Sequence, residues 1–146
     1  MNKMNANAIG QYRNVYAQSG SDDAGGYHIV QMLLAGALER IAAASGHMHS
    51  HEVAAKGECI SRAIEIITTL RGALDHDVDA ELTSRLDALY EYMTHRLFIA
   101  NVDNDPQLLE EVSELLRSLK SSWDEIPPEA RQPLAEASAP RPAASL

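Results

Sequence analysis

A chain of 146 residues and 15.9 kDa has room for one moderate hydrophobic core and no second domain. Its formal net charge of -9 argues against nucleic acid and anionic membrane surfaces as main partners, and its single cysteine, Cys59, excludes an internal disulfide. No basic-then-apolar leader opens the chain and no apolar run approaches the ~18 residues of a membrane span, so the expected location is the cytoplasm, with no membrane insertion.

Residues 1–25 are polar and rich in Gly, Ser and Asn, with Ile9, Tyr12, Val15 and Tyr16 as the large apolar groups. This composition predicts an arm that docks part of the time. Helical periodicity then appears four times, and strand-like alternation is absent. The first run spans Tyr27 to Ser45 and is expected to end at Gly46. Between those limits Glu39 and Arg40 are the formal charges, while Met32, Leu33, Leu34, Leu38 and Ile41 point in almost every direction. The segment GHMHSH follows, with His47, His49 and His51 alternating. It is read as a solvated loop with at most adventitious metal binding, because no Cys or carboxylate pair stands at fixed spacing beside it.

The second run, about Glu52 to Leu74, carries Ile60, Ala63, Ile67, Leu70 and Leu74 at helical spacing. The third spans roughly Asp79 to Asn101. Leu82, Leu86, Leu89, Tyr90, Met93, Leu97 and Ala100 form its core stripe, and Ala88, Tyr92 and Ile99 widen the apolar arc to roughly 200°. Arg96 lies inside that arc, where a charge must be paired or reach water along its stem. The fourth run opens on Asp105-Pro106, a capping acid followed by proline at the first helical position, and stops before Pro127-Pro128. Here Leu108, Leu109, Val112, Leu115, Leu116, Leu119 and Trp123 fill an arc of only about 120°. Residues 127–146 are Pro/Ala-rich with no helical face and are expected to be disordered.

Short connections between helices of ~20 residues favour antiparallel neighbours, so the fold class is all-α: an up-down four-helix bundle over residues 26–126, with an N-terminal arm or short extra helix. A bundle of this size cannot bury a helix on every side, so the broad arcs of the first and third helices imply a surface for an arm, a second copy or a partner. Catalytic chemistry is not indicated. Glu91 and His95 lie outside the core arc, no Glu-x-x-His occurs, Cys59 has no local base, and Gly25-Gly26 is followed by no phosphate-cradling pattern. No cofactor and no metal are expected.

The run LYEYMTHRLFIANVDND, from Leu89 to Asp105, resembles the signature segment of the FliS family of flagellar secretion chaperones. Its Leu-Tyr-x-Tyr-Met-x-x-Arg-Leu-x-x-Ala-Asn-x-x-x-Asp pattern is filled at every position. VQMLLAGALERI, ISRAIEIITTLRGALD and EVSELLRSLKSSWDEI resemble further family segments, in family order, across about residues 28–126. The chain departs from the family pattern at Gly25-Gly26, where Ser-Pro is usual, and at Leu34-Ala35, where Tyr-Asp is usual.

The resemblance implies a cytoplasmic chaperone of flagellar type III export. Its client is the C-terminal segment of flagellin, disordered when free, held in apolar surface grooves so that polymerisation waits for export. It further implies delivery to the flagellar export gate, with an anti-sigma factor or a co-chaperone as other partners and a monomer or weak dimer as the state. On this reading the groove residues are Leu34, Leu38, Ile41, Tyr92 and Ile99, chosen because they lie off the core stripes, with Tyr90, Met93 and Leu97 serving core and groove together. Tyr12 and Val15 of the arm would cap the groove. Arg96 is expected in a structural ion pair with an acid on a neighbouring helix, and Asn101 and Asp105 are expected to shape the turn between the last two helices. The alternative is a regulatory bundle that binds another helix, or itself, without flagellin as client.

Overall fold

The computed structural model describes residues 23–129 and places four helices in that span: α1, Asp23–His49; α2, Val53–Gly72; α3, Ala80–Asp103; and α4, Pro106–Asp124. Tyr12 and Val15 lie outside the described residues, as does the tail beyond Glu129. α1 packs against α2 and α4, and α3 packs against the same two helices, which makes the expected antiparallel four-helix bundle.

The helix ends show how local chemistry sets the connections. α1 does not stop at Gly46, which is absorbed at the cost of about 1 kcal/mol relative to Ala. Its stop comes at His51, held at φ 59°, where the Glu52 amide donates to the His47 carbonyl (2.9 Å) and the His51 amide donates to Met48 (3.3 Å). That pair of bonds satisfies the last carbonyls of the helix. The GHMHSH segment is therefore mostly helix, with Met48 buried in the core, rather than a loop. α3 opens on Asp79, whose carboxylate accepts from the Leu82 amide at 3.2 Å. It closes on Asn104 at φ 54°, so the left-handed residue of the α3–α4 turn is Asn104, while Asn101 stays helical. Asp105 then caps α4, accepting from the Gln107 amide at 2.9 Å.

The core runs the length of the bundle. Leu34, Ile41, Ile60, Ile67, Met93, Leu97, Leu109, Val112 and Leu116 are fully buried, each contributing about 1.5–3 kcal/mol relative to exposure. Each end has its own fastening. At one end Tyr27 of α1 stacks on Trp123 of α4 with ring centroids 5.4 Å apart. The Tyr27 hydroxyl donates to the Trp123 carbonyl at 2.8 Å, and the Trp123 indole N–H donates back to the Tyr27 carbonyl at 3.1 Å. At the other end the buried Lys56 ammonium of α2 donates to the Asn101 carbonyl and to Asn104 Oδ1, both at 3.0 Å. It thereby holds the α3–α4 turn.

By length and composition alone α1 would pass for a membrane span, which the sequence reading did not anticipate. Its place in the bundle accounts for part of that composition, since Tyr27, Leu33, Leu34, Ala37, Ile41, Ala44 and Met48 are buried among the other helices.

Candidate functional site

Among the described residues, two surfaces carry apolar groups outside the core and are wide enough to receive a partner. The first is a cleft of about 520 Å³ between α1 and α4. Leu38, Ile41, Ala42 and Leu109 supply its apolar lining, and Glu39, Ser45, Glu110, Ser113 and Arg117 its polar lining, with Arg117 paired to Glu110 at 2.8 Å. Leu38 is half-buried. The expectation that Leu34 and Ile41 lie off the core does not hold: both are 1% exposed, and only an edge of Ile41 reaches the cleft. α1 is apolar around most of its circumference, so periodicity alone could not tell its inner face from its outer one.

The second surface is the outer side of α3. Tyr92 is 43% exposed, Phe98 59% and Val102 66%, and Ile99 is half-buried beside them. They form two shoulders. Asp87, Glu91, Phe98 and Val102 follow one another at helical spacing on the α2 side, where Arg71 reaches Asp87 at 2.6 Å and Glu91 at 3.7 Å. Tyr92, Arg96 and Ile99 follow on the α4 side, where Glu111 receives two bonds. Tyr90, Met93 and Leu97 are buried and belong to the core. Burial pushes the Tyr90 phenol up to about 12. Leu82, counted in the core stripe, is 51% exposed in the first turn of α3.

The α4-side shoulder carries a defined polar cluster. The Tyr92 hydroxyl donates to Glu111 Oε2 at 2.5 Å and Arg96 Nε donates to Glu111 Oε1 at 2.9 Å. The Arg96 guanidinium carbon lies 5.6 Å from the Tyr92 ring centroid, a cation–π approach. The Tyr92 hydrogen bond and then the Arg96 one hold the Glu111 carboxyl below its ordinary value, while the bond to Glu111 raises Tyr92 and Arg96. Arg96 thus has its ion pair with an acid on the neighbouring helix.

His47 is paired with Glu52 at 2.9 Å, and among the described residues no three His, Cys, Asp or Glu side chains converge as ligands. His47 and His51 line a cleft of about 230 Å³ with Met48, Glu52, Val53, Lys56 and Asn104 at the end of the bundle. The sequence reading missed Lys56, whose partners stand 45 and 48 residues away. It also missed Phe98 and Val102, which stand four residues apart on the side of α3 that faces away from the apolar arc, so periodicity gave no cue to them.

Against this geometry the comparisons with known proteins are consistent. The sequence model for the flagellar protein FliS matches residues 7–130. The chain is similar to flagellar secretion chaperone FliSB of Pseudomonas aeruginosa, 46% identical over 119 residues that cover 82% of this chain and 94% of that protein. It is similar to flagellar secretion chaperone FliS of Vibrio cholerae, 40% identical over 118 residues, covering 81% and 87% of the two chains. Against the Salmonella typhimurium FliS the identity is 36% over 126 residues, covering 86% and 93%. The relatives are named as chaperones and not as enzymes.

Proposed function

The chain belongs to the FliS family of flagellar proteins, and on that premise we propose that it is a cytoplasmic chaperone of flagellar export whose client is the C-terminal segment of flagellin. The client segment lies as helix and extended chain on the α1–α4 cleft and the outer side of α3. While held there it cannot polymerise, and the complex is handed to the export gate. The observation that supports this most is the apolar outer side of α3. A bundle whose core is already full still exposes Tyr92, Phe98 and Val102 along one helix.

Physical chemistry favours such a client. A helix laid in a groove needs exposed apolar seams on the receiving helices, and a disordered segment needs a long wrapped surface to offset its ordering entropy. The groove then comprises Leu38, Tyr92 and Ile99 of the expected set, joined by Phe98 and Val102, while Leu34, Ile41, Tyr90, Met93 and Leu97 support it from the core. Tyr12 and Val15 of the arm compete with the client for this surface. An anti-sigma factor or a co-chaperone would use the same exposed seams, and the free chain is a monomer or weak dimer.

Calorimetric titration with a synthetic flagellin C-terminal segment, followed in parallel by circular dichroism, tests the proposal. The expected result is binding near one to one, with a negative heat-capacity change and a gain of helix. Tyr92→Asp and Leu38→Asp should each weaken binding by about tenfold or more with helicity retained. Undiminished affinity in both variants would remove the groove assignment, and no binding by the parent chain would remove the client.

A further inference from the structure

The polar cluster on the α4-side shoulder is only half used. Arg96 spends Nε on Glu111 and lays its plane near the Tyr92 ring, and none of the hydrogen bonds among the described residues uses its two terminal amino groups. The side chain is nonetheless 32% exposed. Tyr92 stands one turn before Arg96 and Ile99 one turn after it, and both present apolar surface beside it. A guanidinium held by an ion pair and a ring loses little freedom on forming further bonds, and its unused edge offers up to four N–H donors in fixed directions.

What that edge recognises follows from the local charge. Glu111 is bonded to Arg96, and the carboxylate of Asp105 also acts on the Arg96 charge. The Arg96 charge is thus already met by Glu111, with the Asp105 carboxylate acting on it more weakly, and the pair carries no net positive charge. An incoming carboxylate would be repelled by Glu111 and Asp105, whereas a neutral acceptor meets the donors without that penalty. Resting on the client reading above, we infer that the terminal amino edge of Arg96 is the polar anchor of the α3 seam, and that it takes backbone carbonyl oxygens of the client peptide rather than client carboxylates. The anchor is therefore indifferent to client side-chain sequence. It selects a stretch of chain whose carbonyls are unpaired, at the end of a client helix or in an extended segment.

The test compares Arg96→Gln with Glu111→Gln in titrations of the flagellin C-terminal segment against the full chain, at about 0.05 and 0.5 M salt. Arg96→Gln should lose about tenfold or more in affinity at both salt concentrations, because a charged donor to a neutral acceptor is lost. Glu111→Gln keeps its amide oxygen as acceptor for Arg96, while its amide N–H2 donates to a Tyr92 hydroxyl that turns to accept, and it should stay within about threefold of the parent chain. Equal losses in the two variants would make Arg96 a support of the bundle and overturn the inference. Unchanged affinity in Arg96→Gln would overturn it as well, and so would a loss that fades at high salt, the mark of a carboxylate partner. If the parent chain itself does not bind the segment, the client reading fails and takes this inference with it.

Discussion

α3 and α4 are neighbours of similar length, yet they spend their apolar residues differently. In α4 the large apolar side chains, from Leu108 to Trp123, all lie on the inward arc and are buried or half-buried. In α3 the inward stripe of Tyr90, Met93, Leu97 and Ala100 is as dry as that of α4, and a second set, Tyr92, Phe98 and Val102, is left in water. The inner stripe suffices for the fold, so the outer set is surplus to it. That surplus is the surface on which the proposed client contact rests.

The sharpest contrast is between Leu116 on α4 and Phe98 on α3. Leu116→Ala should cost about 2–5 kcal/mol, since a fully buried leucine leaves a cavity that a tight bundle relaxes into poorly. Phe98→Ser should change stability by no more than about 0.5 kcal/mol, although the side chain removed is larger. Urea unfolding followed at 222 nm measures both. A loss of 2 kcal/mol or more in Phe98→Ser, on the scale expected for a core leucine, would show that the outer side of α3 belongs to the fold after all.

That contrast was largely legible in the sequence for α4 and only partly for α3 and α1. The α4 arc is narrow and bounded by Glu110, Glu114 and Arg117, so its phase could be read directly, and Asp105-Pro106 marked its start. α3 was read as too wide, but which residues were surplus depended on its neighbours, and Phe98 and Val102 fell outside the arc drawn. α1 offered no phase at all, which is why Leu34 and Ile41 were placed on the surface. Its stop was misread because glycine at 46 is tolerated inside a helix, while a left-handed His51 has no strong sequence mark. In the α3–α4 turn two asparagines stand three residues apart, and the sequence alone does not mark Asn104 as the left-handed one that Lys56 binds through its side chain.

Alkaline pH probes the inner side of α3. Burial raises the Tyr90 phenol from 10 to about 12, so the folded state keeps its proton where the unfolded chain has lost it. The sign follows. Stability is fully present below pH 10, declines as pH rises from 10, and has fallen by about 2–3 kcal/mol at pH 12 on this account alone. Tyr90→Phe should remove that decline, so the variant and the parent chain diverge above pH 10. Parallel curves would mean that the hydroxyl is wetter than its surroundings suggest and that α3 is loose on its inner side too.

Acid pH probes the α3–α4 seam, and the expected effect is smaller. Hydrogen bonds from Tyr92 and Arg96 hold the Glu111 carboxyl below its ordinary value, so the unfolded state takes up the proton first as pH falls. The stabilisation is complete above the ordinary carboxylate range, and it is lost as pH falls through that range to the lowered folded-state value. Glu111→Gln lacks the titrating group, so its deficit against the parent chain should be largest near neutrality and should shrink through the acid range. Both partners sit at the surface, where solvent screens the pair, so the difference is a fraction of what a core substitution costs. Salt should narrow it further. A deficit as large as that of Leu116→Ala, or one indifferent to acid, would place Glu111 among the residues that hold the bundle together. The seam would then be part of the core's closure, and the line drawn between an α4 spent on folding and an α3 with surface to spare would have to move outward to include it.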